Sequence, residues 1–241
     1  MELQFKKMKK IKSYQNVVDQ IQSAICDGSL KDGDRLPSEM KLTKMFDTSR
    51  GTIREALRVL EQKGLISIKT GVKGGPIVKE ANTRPMSESI ALLIRHQKVS
   101  LHHLAQFRKI LEGHIAAQTA LMAGKNEINQ LKAILKEAKM HIKTKPSGWE
   151  EFHKMDATFH MVLAKIAKNP LIEANLQSIH DNIQIYFNQY LPFSDALLMD
   201  NYEDLCKIVE AVENKNSITA QQLAETHVTK FNDLMEERLN A

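Results

Sequence analysis

Strand-like patterning is confined to one short stretch of this 241-residue sequence, and the rest is patterned for helices. Residues 65–68 and 76–78 are short apolar runs, and the glycine-rich residues 70–75 separate them, so the stretch predicts a single β-hairpin. Three segments with apolar residues at helical spacing precede it, and each ends at a glycine or a polar turn. The predicted order is therefore helix, helix, helix, hairpin, within residues 10–79.

The sequence after the hairpin predicts an all-helical domain. Residues 80–85 are polar and end in Pro85, which is typical of a linker. Residues 86–241 then show almost no strand pattern, and glycine, proline and asparagine signals divide them into seven helical segments. The predicted helices cover residues 86–97, 101–123, 126–142, 148–168, 170–190, 195–214 and 217–239. The fold class is therefore mainly α: a small N-terminal domain with one β-hairpin, and an all-α helical-bundle C-terminal domain.

Positive charge is concentrated in the first third of the chain. Residues 1–79 hold 16 lysines and arginines against 9 acidic residues, whereas residues 80–241 hold 18 against 20. This division favours a polyanion-binding head and a body with another task, although the lysines of residues 6–12 also fit a solvated tail. No apolar run approaches the roughly 18 residues of a membrane-spanning helix. The two cysteines, Cys26 and Cys206, are far apart and form no disulfide framework, so we expect a cytoplasmic protein without a membrane partner.

The start of the third predicted helix, residues 48–54, is the candidate recognition element. In a helix-turn-helix the second helix of the motif enters the major groove with its first residues at the bases. Arg50 and Arg54 share one helical face, and arginine can donate two hydrogen bonds to a guanine or pair with a phosphate. The two arginines alone would also fit an exposed cationic helix without a partner. The candidate DNA contacts, with the cation and glycine of the hairpin tip, are Lys41, Ser49, Arg50, Gly51, Thr52, Arg54, Lys73 and Gly74.

Residues 28–78 resemble the DNA-binding domain of the GntR family of bacterial regulators. The matching pieces are Gly28-x4-Gly33-Asp34-x-Leu36-Pro37-Ser38-Glu39, then residues 49–57 (Ser-Arg-Gly-Thr-Ile-Arg-Glu-Ala-Leu), Leu60-Glu61-x2-Gly64-Leu65-Ile66, and Gly74-Gly75 with Val78. The resemblance implies a winged helix-turn-helix, with the hairpin as the wing, that binds double-stranded operator DNA. Because each head offers one recognition helix, a homodimer would read an inverted repeat. One position departs from the family, which often has an arginine after Pro-Ser-Glu that contacts DNA; this chain has Met40, followed by Lys41.

Five charged or polar residues fall on or beside the apolar stripes of three body helices: Arg108, Glu112, Asp156, His160 and His227. Their burial without partners would cost several kcal/mol, so one another, water, a metal or a ligand must satisfy them. Asp156 and His160 are one helical turn apart and could point at one ion, because divalent metals bind carboxylate and imidazole readily. The plain alternative is an internal salt bridge, Arg108 with Asp156 or Glu112, that serves folding alone.

The body resembles the FCD-type ligand-binding domain of the FadR subfamily of GntR regulators. The matching pieces are Phe107-Arg108-x3-Glu112-x3-Ala116-Ala117, Asp156-x2-Phe159-His160-x2-Leu163, Ile208-Val209-x-Ala211-Val212 and His227. The resemblance implies a divalent metal such as zinc in a central cavity, with Asp156, His160 and His227 as ligands. It also implies a small carboxylate effector that engages the metal and an arginine, Arg108, with Glu112 beside it.

The fourth metal ligand of that subfamily falls 22 residues before the last histidine, and here that position is Leu205. The chain thus offers three ligands, with water or the effector completing the shell, or a site that binds metal weakly or not at all. His180, Asn201 and Tyr202 are candidate substitutes. The seven histidines outside the ligand set, His153 and His180 included, are otherwise interpreted as solvated or hydrogen-bonded.

These patterns together predict a sequence-specific transcription regulator, expected to act as a repressor, whose operator binding a small carboxylate effector controls through the C-terminal domain. A non-specific architectural DNA-binding protein would use the head alone. A metal-dependent hydrolase fused to a DNA-binding head would use Asp156, His160 and His227 with a water. No nucleophile motif, phosphate loop or second carboxylate pair accompanies those residues, so we do not expect an enzyme.

Overall fold

The structure is a computed structural model that describes residues 13–71, 74–80, 83–96, 98–142, 148–191 and 194–239, without the side chains of Arg84 and Ile185. The chain forms two compact units that divide between Pro85 and Met86. Lys73, a predicted DNA contact, lies outside the described residues. Within the described ranges, no helix is both long and apolar enough to span a membrane.

The first unit contains three helices and one hairpin, in the predicted order. Its elements are α1 Ser13–Cys26, α2 Glu39–Met45, α3 Arg50–Gln62, β1 Ile66–Lys69 and β2 Gly75–Val78. Serine side chains start two of the helices: Ser38 Oγ accepts a hydrogen bond from the backbone N–H of Lys41, and Ser49 Oγ accepts one from that of Thr52. The prediction of a winged helix-turn-helix with a small hairpin wing is confirmed.

The apolar faces of these elements meet in a core of their own. The two strands pair antiparallel with Ile66 opposite Val78, and both side chains are buried against the helices. From α3, Ile53 and Leu60 are fully buried, so the recognition helix is fixed by the same core that holds the hairpin. The buried set is Val17, Val18, Ile21, Leu36, Leu42, Ile53, Ala56, Leu57, Leu60, Ile66 and Val78.

Gly74 closes the turn of the hairpin because the turn has no room for a side chain there. A Cβ atom at Gly74 would overlap the backbone carbonyl of Lys69 and the backbone of Thr70. The neighbouring Gly75 has φ 129°, a conformation that other residues rarely adopt. The glycines of the hairpin tip are therefore explained by the turn itself, whatever the tip contacts.

Seven helices follow the hairpin: α4 Arg84–Arg95, α5 Leu101–Met122, α6 Lys125–Ile142, α7 Gly148–Ile166, α8 Pro170–Tyr190, α9 Asp195–Glu213 and α10 Ser217–Leu239. Their order and bounds agree closely with the helical patterns, and the prediction of an all-α helical bundle is confirmed. The α4 helix begins two residues before its predicted start. Pro85 fits its first turn, where the missing N–H has no helical acceptor to lose.

Helix α5 is the centre of the second unit. It packs most extensively along α10 and also contacts α7, α8 and α9. Small residues on the facing sides, Gly113, Ala116 and Ala120 on α5 and Ala224 on α10, allow the two backbones to approach closely. Any polar side chain on the inner face of α5 therefore meets side chains from several helices at once.

We predict that Gly74→Ala weakens the hairpin, because the added methyl group must displace backbone atoms. Amide hydrogen exchange of Ile66–Lys69 should become faster, with a stability loss of about 1–3 kcal/mol in the first unit. Gly51→Ala is the matched control, since a Cβ atom there would meet only Ser49 Oγ, at 3.7 Å. Equal protection of β1 in the two variants would contradict the steric argument.

Candidate DNA interface and buried polar site

The hydroxyl groups of Ser49 and Thr52 organise the first turn of α3. Ser49 Oγ accepts the Thr52 backbone N–H at 3.1 Å, and the two hydroxyl oxygens lie 2.9 Å apart. The hydroxyl oxygen of Ser13, at the start of α1, lies 3.5 Å from that of Thr52. Both predicted DNA contacts therefore also have a structural role. The N–H groups of a helical first turn lack helical acceptors and favour an anion, so this corner suits a phosphate.

The cations around this corner are exposed. Arg50 and Lys41 are exposed at the starts of α3 and α2. Arg54 is exposed too, but its Nε donates to Glu39 Oε2 at 2.9 Å, which ties α3 to α2. Met40, at the position where the resemblance described above implies an arginine, is 63% exposed beside Lys41. Arg50 is thus the cation placed most directly at the N-terminus of the recognition helix.

The packing of the first unit does not require a glycine at position 51. An added Cβ atom would make one ordinary contact, with Ser49 Oγ at 3.7 Å. Glycine in a helix costs stability relative to alanine. The missing side chain therefore provides space on the outer surface, where a partner can approach the backbone.

A groove of about 540 Å³ runs between the helix-turn-helix and the hairpin. Four of its lining residues are cations: Arg35, Arg54, Arg58 and Lys69. The backbone of Arg35 forms an isolated bridge with Ile77, which places that side chain beside the wing. The sequence analysis missed Arg35 and Lys69, because only the pairing of the loop with β2 brings them next to α3. The groove adds a cationic surface to the one at the start of α3.

In the second unit, the three predicted metal ligands lie together. Asp156 and His160 on α7 and His227 on α10 are all buried. His160 Nε2 lies 3.3 Å from His227 Nε2, and Asp156 Oδ1 lies 3.8 Å from each. The three atoms are close enough together for one divalent ion to be bound by all of them. Asp156 Oδ1 has no hydrogen-bond partner among the described residues, so the donor set fits a divalent metal.

The carboxylate of Glu112 lies behind this triangle and is engaged by three side chains. Arg108 Nε donates to its Oε1 at 2.7 Å, and His160 Nδ1 lies 2.6 Å from its Oε2. His180 Nε2 lies 3.5 Å from Oε1. Burial opposes ionisation of Glu112, but Arg108 and His160 outweigh it and hold its pKa well below the usual range. The contact at Nδ1 turns Nε2 of His160 toward Asp156 and His227.

A second carboxylate, Asp204 on α9, stands behind His227. Its Oδ2 lies 3.8 Å from His227 Nδ1 and accepts a hydrogen bond from Lys230 Nζ at 3.1 Å. Partial burial opposes ionisation of Asp204, but His227 and Lys230 outweigh it and lower the pKa to about 2. Both histidines of the triangle thus have an ionised carboxylate on the Nδ1 side, the usual arrangement for metal-bound imidazoles. The sequence analysis missed Asp204, since only the packing of α9 on α10 brings it near His227.

A small cavity of about 10 Å³ adjoins the triangle. Arg108, Asp156 and His227 contribute to its wall, so the predicted effector anchor and two of the predicted metal ligands share one space. The Arg108 guanidinium also lies 5.6 Å from the centre of the Phe187 ring. The full lining is Arg108, His153, Asp156, Phe187, Leu191, Asn201, His227, Val228 and Phe231.

The residues considered for the fourth ligand lie in different places. Leu205 is fully buried in the main hydrophobic core, with Phe159 and Leu163. His180 lies against Glu112, on the side of His160 away from the triangle, and Tyr202 is only partly buried. The sequence analysis interpreted His153 and His180 as solvated or hydrogen-bonded. They are not solvated, because their relative exposures are only 6% and 8%. Both ring Nε2 atoms lack a hydrogen-bond partner among the described residues.

We predict that Glu112→Gln destabilises the second unit by about 3–5 kcal/mol, because it leaves the buried Arg108 without its counter-charge. Urea denaturation followed by circular dichroism measures the change. Glu213→Gln is the matched control: its carboxylate pairs with Lys132 at the surface, with both side chains 48% exposed. That variant should lose no more than about 1 kcal/mol. If Glu112→Gln lowers the free energy of unfolding as little as the control does, the pairing of Glu112 with Arg108 is not central to the stability of the second unit.

Comparisons with known proteins agree with this geometry. Residues 13–73 match the family model of the bacterial regulatory proteins of the gntR family, and residues 103–230 match that of the FCD domain. The HTH-type transcriptional regulator LutR of Bacillus subtilis is 26% identical over 215 residues, which cover 88% of this chain and 95% of LutR. The Uxu operon regulator of Haemophilus influenzae is 28% identical over 224 residues, 90% of this chain and 79% of that protein. The HTH-type transcriptional repressor NanR of Cronobacter sakazakii is 25% identical over 216 residues, 88% of this chain and 81% of NanR.

The solved structure of a GntR protein from Streptococcus agalactiae has the same fold. It aligns with a TM-score of 0.72 at 22% identity, over 91% of this chain and 99% of that one. Its likeness concerns the fold alone, whereas the family models cover the recognition helix and the buried polar site of the chain itself. The chain therefore belongs to the GntR family of bacterial regulatory proteins, as a DNA-binding transcription regulator with a C-terminal FCD domain, and not to a family of enzymes.

Proposed function

We propose that the chain is a repressor that binds an inverted-repeat operator as a homodimer and responds to a small carboxylate effector. In this proposal residues 10–79 bind DNA, residues 80–85 link the domains, and residues 86–241 bind the effector and dimerise. The observation that carries it is the buried contact of Arg108 with the polar cluster beside a cavity, in a chain whose other unit presents a recognition helix. The similarity to NanR, a transcriptional repressor, supports repression.

The head reads DNA through the start of α3. Arg50 contacts a base or a phosphate at the helix N-terminus, and Gly51 lets the duplex approach the backbone. Ser49 and Thr52 present their hydroxyls to a phosphate, while Arg54 is held by Glu39 beside the same surface. Lys41 and the cations of the groove contribute DNA affinity that is independent of base sequence. Gly74 and Lys73, at the wing tip, would contact the DNA phosphates or the minor groove beside them.

The body binds its effector through Arg108. The planar guanidinium matches a carboxylate, and its Nε bond to Glu112 fixes its orientation. Asp156, His160 and His227 would hold a divalent metal such as zinc. Glu112 positions the imidazole of His160, and Asp204 lies on the Nδ1 side of His227 at 3.8 Å. When bound, the metal would supply a Lewis acid for a carboxylate oxygen of the effector. Leu205 leaves three protein ligands, so the remaining positions are open to water or effector.

Coupling between the sites follows from the size of the cavity. A space of about 10 Å³ is that of roughly one water molecule, so an organic acid must move the helices that line it. Its lining residues come from α5, α7, α8, α9 and α10, or lie next to them. Repacking of these helices upon binding would change the separation of the two heads in a dimer and with it the affinity for the operator.

An architectural DNA-binding protein without sequence preference is the second candidate. The cationic groove between the wing and α3 favours it, since a groove of that kind binds any duplex. The architectural function does not require the buried Arg108 cluster. Selection of binding sites from random duplex DNA distinguishes the two functions.

We predict that the full-length protein selects an inverted repeat from random duplex DNA and that Arg50→Ala weakens binding to the selected site by about 1–3 kcal/mol. Gly51→Ala should weaken it as well while leaving thermal stability unchanged or slightly higher. Fluorescence anisotropy with the selected duplex measures both. Lys132→Ala, which removes one exposed cation from the second unit, is the charge-matched control and should bind as the wild type does.

Two results would contradict this proposal. Equal affinity of the wild type for the selected site and for random duplex would favour the architectural function. If the Arg50→Ala variant and the Gly51→Ala variant both bind DNA with wild-type affinity, the start of α3 is not part of the DNA interface.

We predict that zinc raises the melting temperature of the metal-free protein by about 5–10 °C at a concentration 100-fold above its dissociation constant. The shift should disappear in Asp156→Asn, which removes one ligand charge at constant volume, and should reverse with a chelator. His102→Gln is the control, because His102 is an exposed histidine of α5. Equal shifts in the wild type and Asp156→Asn would show that zinc binds elsewhere.

A further inference from the structure

The solvent-facing side of α5 is apolar and lacks charge. Phe107, Ile110 and Leu121 are 43%, 71% and 59% exposed. His114 and Ala117 lie between them along the helix, and neither is buried. Successive members of this set are three or four positions apart, so the five side chains form one continuous stripe. None of the five is a lysine, an arginine or an acid. The stripe is called the outer stripe of α5 below.

This absence of charge distinguishes α5 from an ordinary surface helix. On helix α6 of the same unit, the exposed residues include three lysines and a glutamate: Lys132, Lys136, Lys139 and Glu137. On α5, Arg108 and Glu112 are buried, and Lys109 lines a groove beside α10. A helix that is apolar on its outer as well as its inner side is typical of a buried helix. We therefore expect a partner to cover the outer stripe.

The size of this side fits the centre of a protein interface. A helix of 22 residues is about 33 Å long and about 10 Å wide, so the outer side of α5 offers roughly 300 Å² in projection. A stable interface buries about 800 Å² on each partner, with an apolar centre and a polar rim. The outer stripe is large enough for that centre. Gln106 and Gln118, which flank it, are uncharged polar residues of the kind found in a rim.

The order of residues along the outer stripe suits a second copy of the same helix. In an antiparallel pair of α5 helices with a two-fold axis at His114, Phe107 would lie opposite the partner's Leu121. Ile110 would lie near the partner's Ala117, and a large side chain over a small one lets two helices pack closely. Because the stripe is uncharged, two identical copies meet without the like-charge repulsion that a two-fold contact otherwise has to avoid.

We propose that the outer stripe of α5 is the surface on which two copies of this chain dimerise, with the two helices antiparallel about an axis at His114. This inference rests on the proposed function, which requires a homodimer but assigns it no surface. Arg108 and Glu112 lie on the inner side of the same helix. The dimer contact and the buried polar site are therefore two sides of one helix, and a movement of α5 at that site would reach the partner directly.

Sedimentation velocity of the full-length protein over a concentration series tests the proposal. The wild type should sediment as a dimer. Ile110→Glu should raise the dissociation constant of the dimer about 100-fold or more, because each copy then buries an unpaired carboxylate in an apolar contact. Met140→Glu is the matched control and should stay dimeric. Met140 is 57% exposed on α6, which packs mainly on α7 and α9.

Two further variants guard against a trivial loss of folding and test the arrangement of the helices. Leu121→Glu, at the other end of the outer stripe, should dissociate the dimer as Ile110→Glu does. The double variant Ile110→Glu/Ala117→Lys should regain at least about 10-fold of the lost dimer affinity. Its two new charges are about 10 Å apart within one helix but meet between antiparallel copies. Circular dichroism should show wild-type helix content in every variant.

The outcomes distinguish this inference from the proposed function. A dimeric wild type with dimeric Ile110→Glu and Leu121→Glu variants overturns the outer stripe as the interface and leaves the homodimer in place. Dissociation of both variants without recovery in the double variant overturns the antiparallel arrangement. A wild type that is monomeric both free and on the selected duplex overturns both proposals and assigns the stripe to a different protein. A monomeric Ile110→Glu variant that keeps wild-type affinity for the selected duplex supports the surface and overturns the dimeric reading of DNA in the proposed function.

Discussion

The buried carboxylate of Glu112 is the interaction on which the body depends. It lies on the central helix α5, and two other helices supply the groups that engage it or lie beside it: His160 from α7 and His180 from α8. An ionised carboxylate in such a place is stable only when cations surround it, and Arg108 on the same helix is the first of them. Glu112 therefore has a geometric effect as well as an energetic one, since it fixes both the Arg108 guanidinium at the cavity and the His160 imidazole that faces Asp156 and His227.

The head depends on a different kind of constraint. Its recognition helix is held by a small apolar core, by a serine cap and by the ion pair of Arg54 with Glu39. Gly51 and Gly74 differ in whether the fold itself requires a glycine. Gly74 has no space for a side chain, whereas Gly51 has space and leaves it empty. Within one domain, the fold thus requires glycine at position 74 and does not require it at position 51.

The sequence was sufficient for the helices, the hairpin and the inward polar residues, because each depends on local periodicity or on an unusual residue in an apolar stripe. Asp156 and His160 could be paired from their spacing on one helix, and the resemblance supplied His227. Asp204, Arg35 and the burial of His153 could not be predicted, since each depends on which helix or strand packs beside it. The position of Leu205 shows the opposite case. The family resemblance implied a metal ligand at that position, and the structure adds that the leucine there belongs to the hydrophobic core.

The narrowness of the cavity has a consequence for how the regulator would be tuned during evolution. In the proposed function, an acid would have to separate Leu191, Val228 and Phe231 from their neighbours before it gained its polar contacts. The acid concentration at which such a regulator responds would then depend partly on how firmly these apolar residues pack, and not only on the groups that recognise the acid. Substitutions in the apolar wall would shift the threshold of induction while leaving the choice of acid unchanged. Sensitivity and selectivity would thus evolve on separate residues of the same small space.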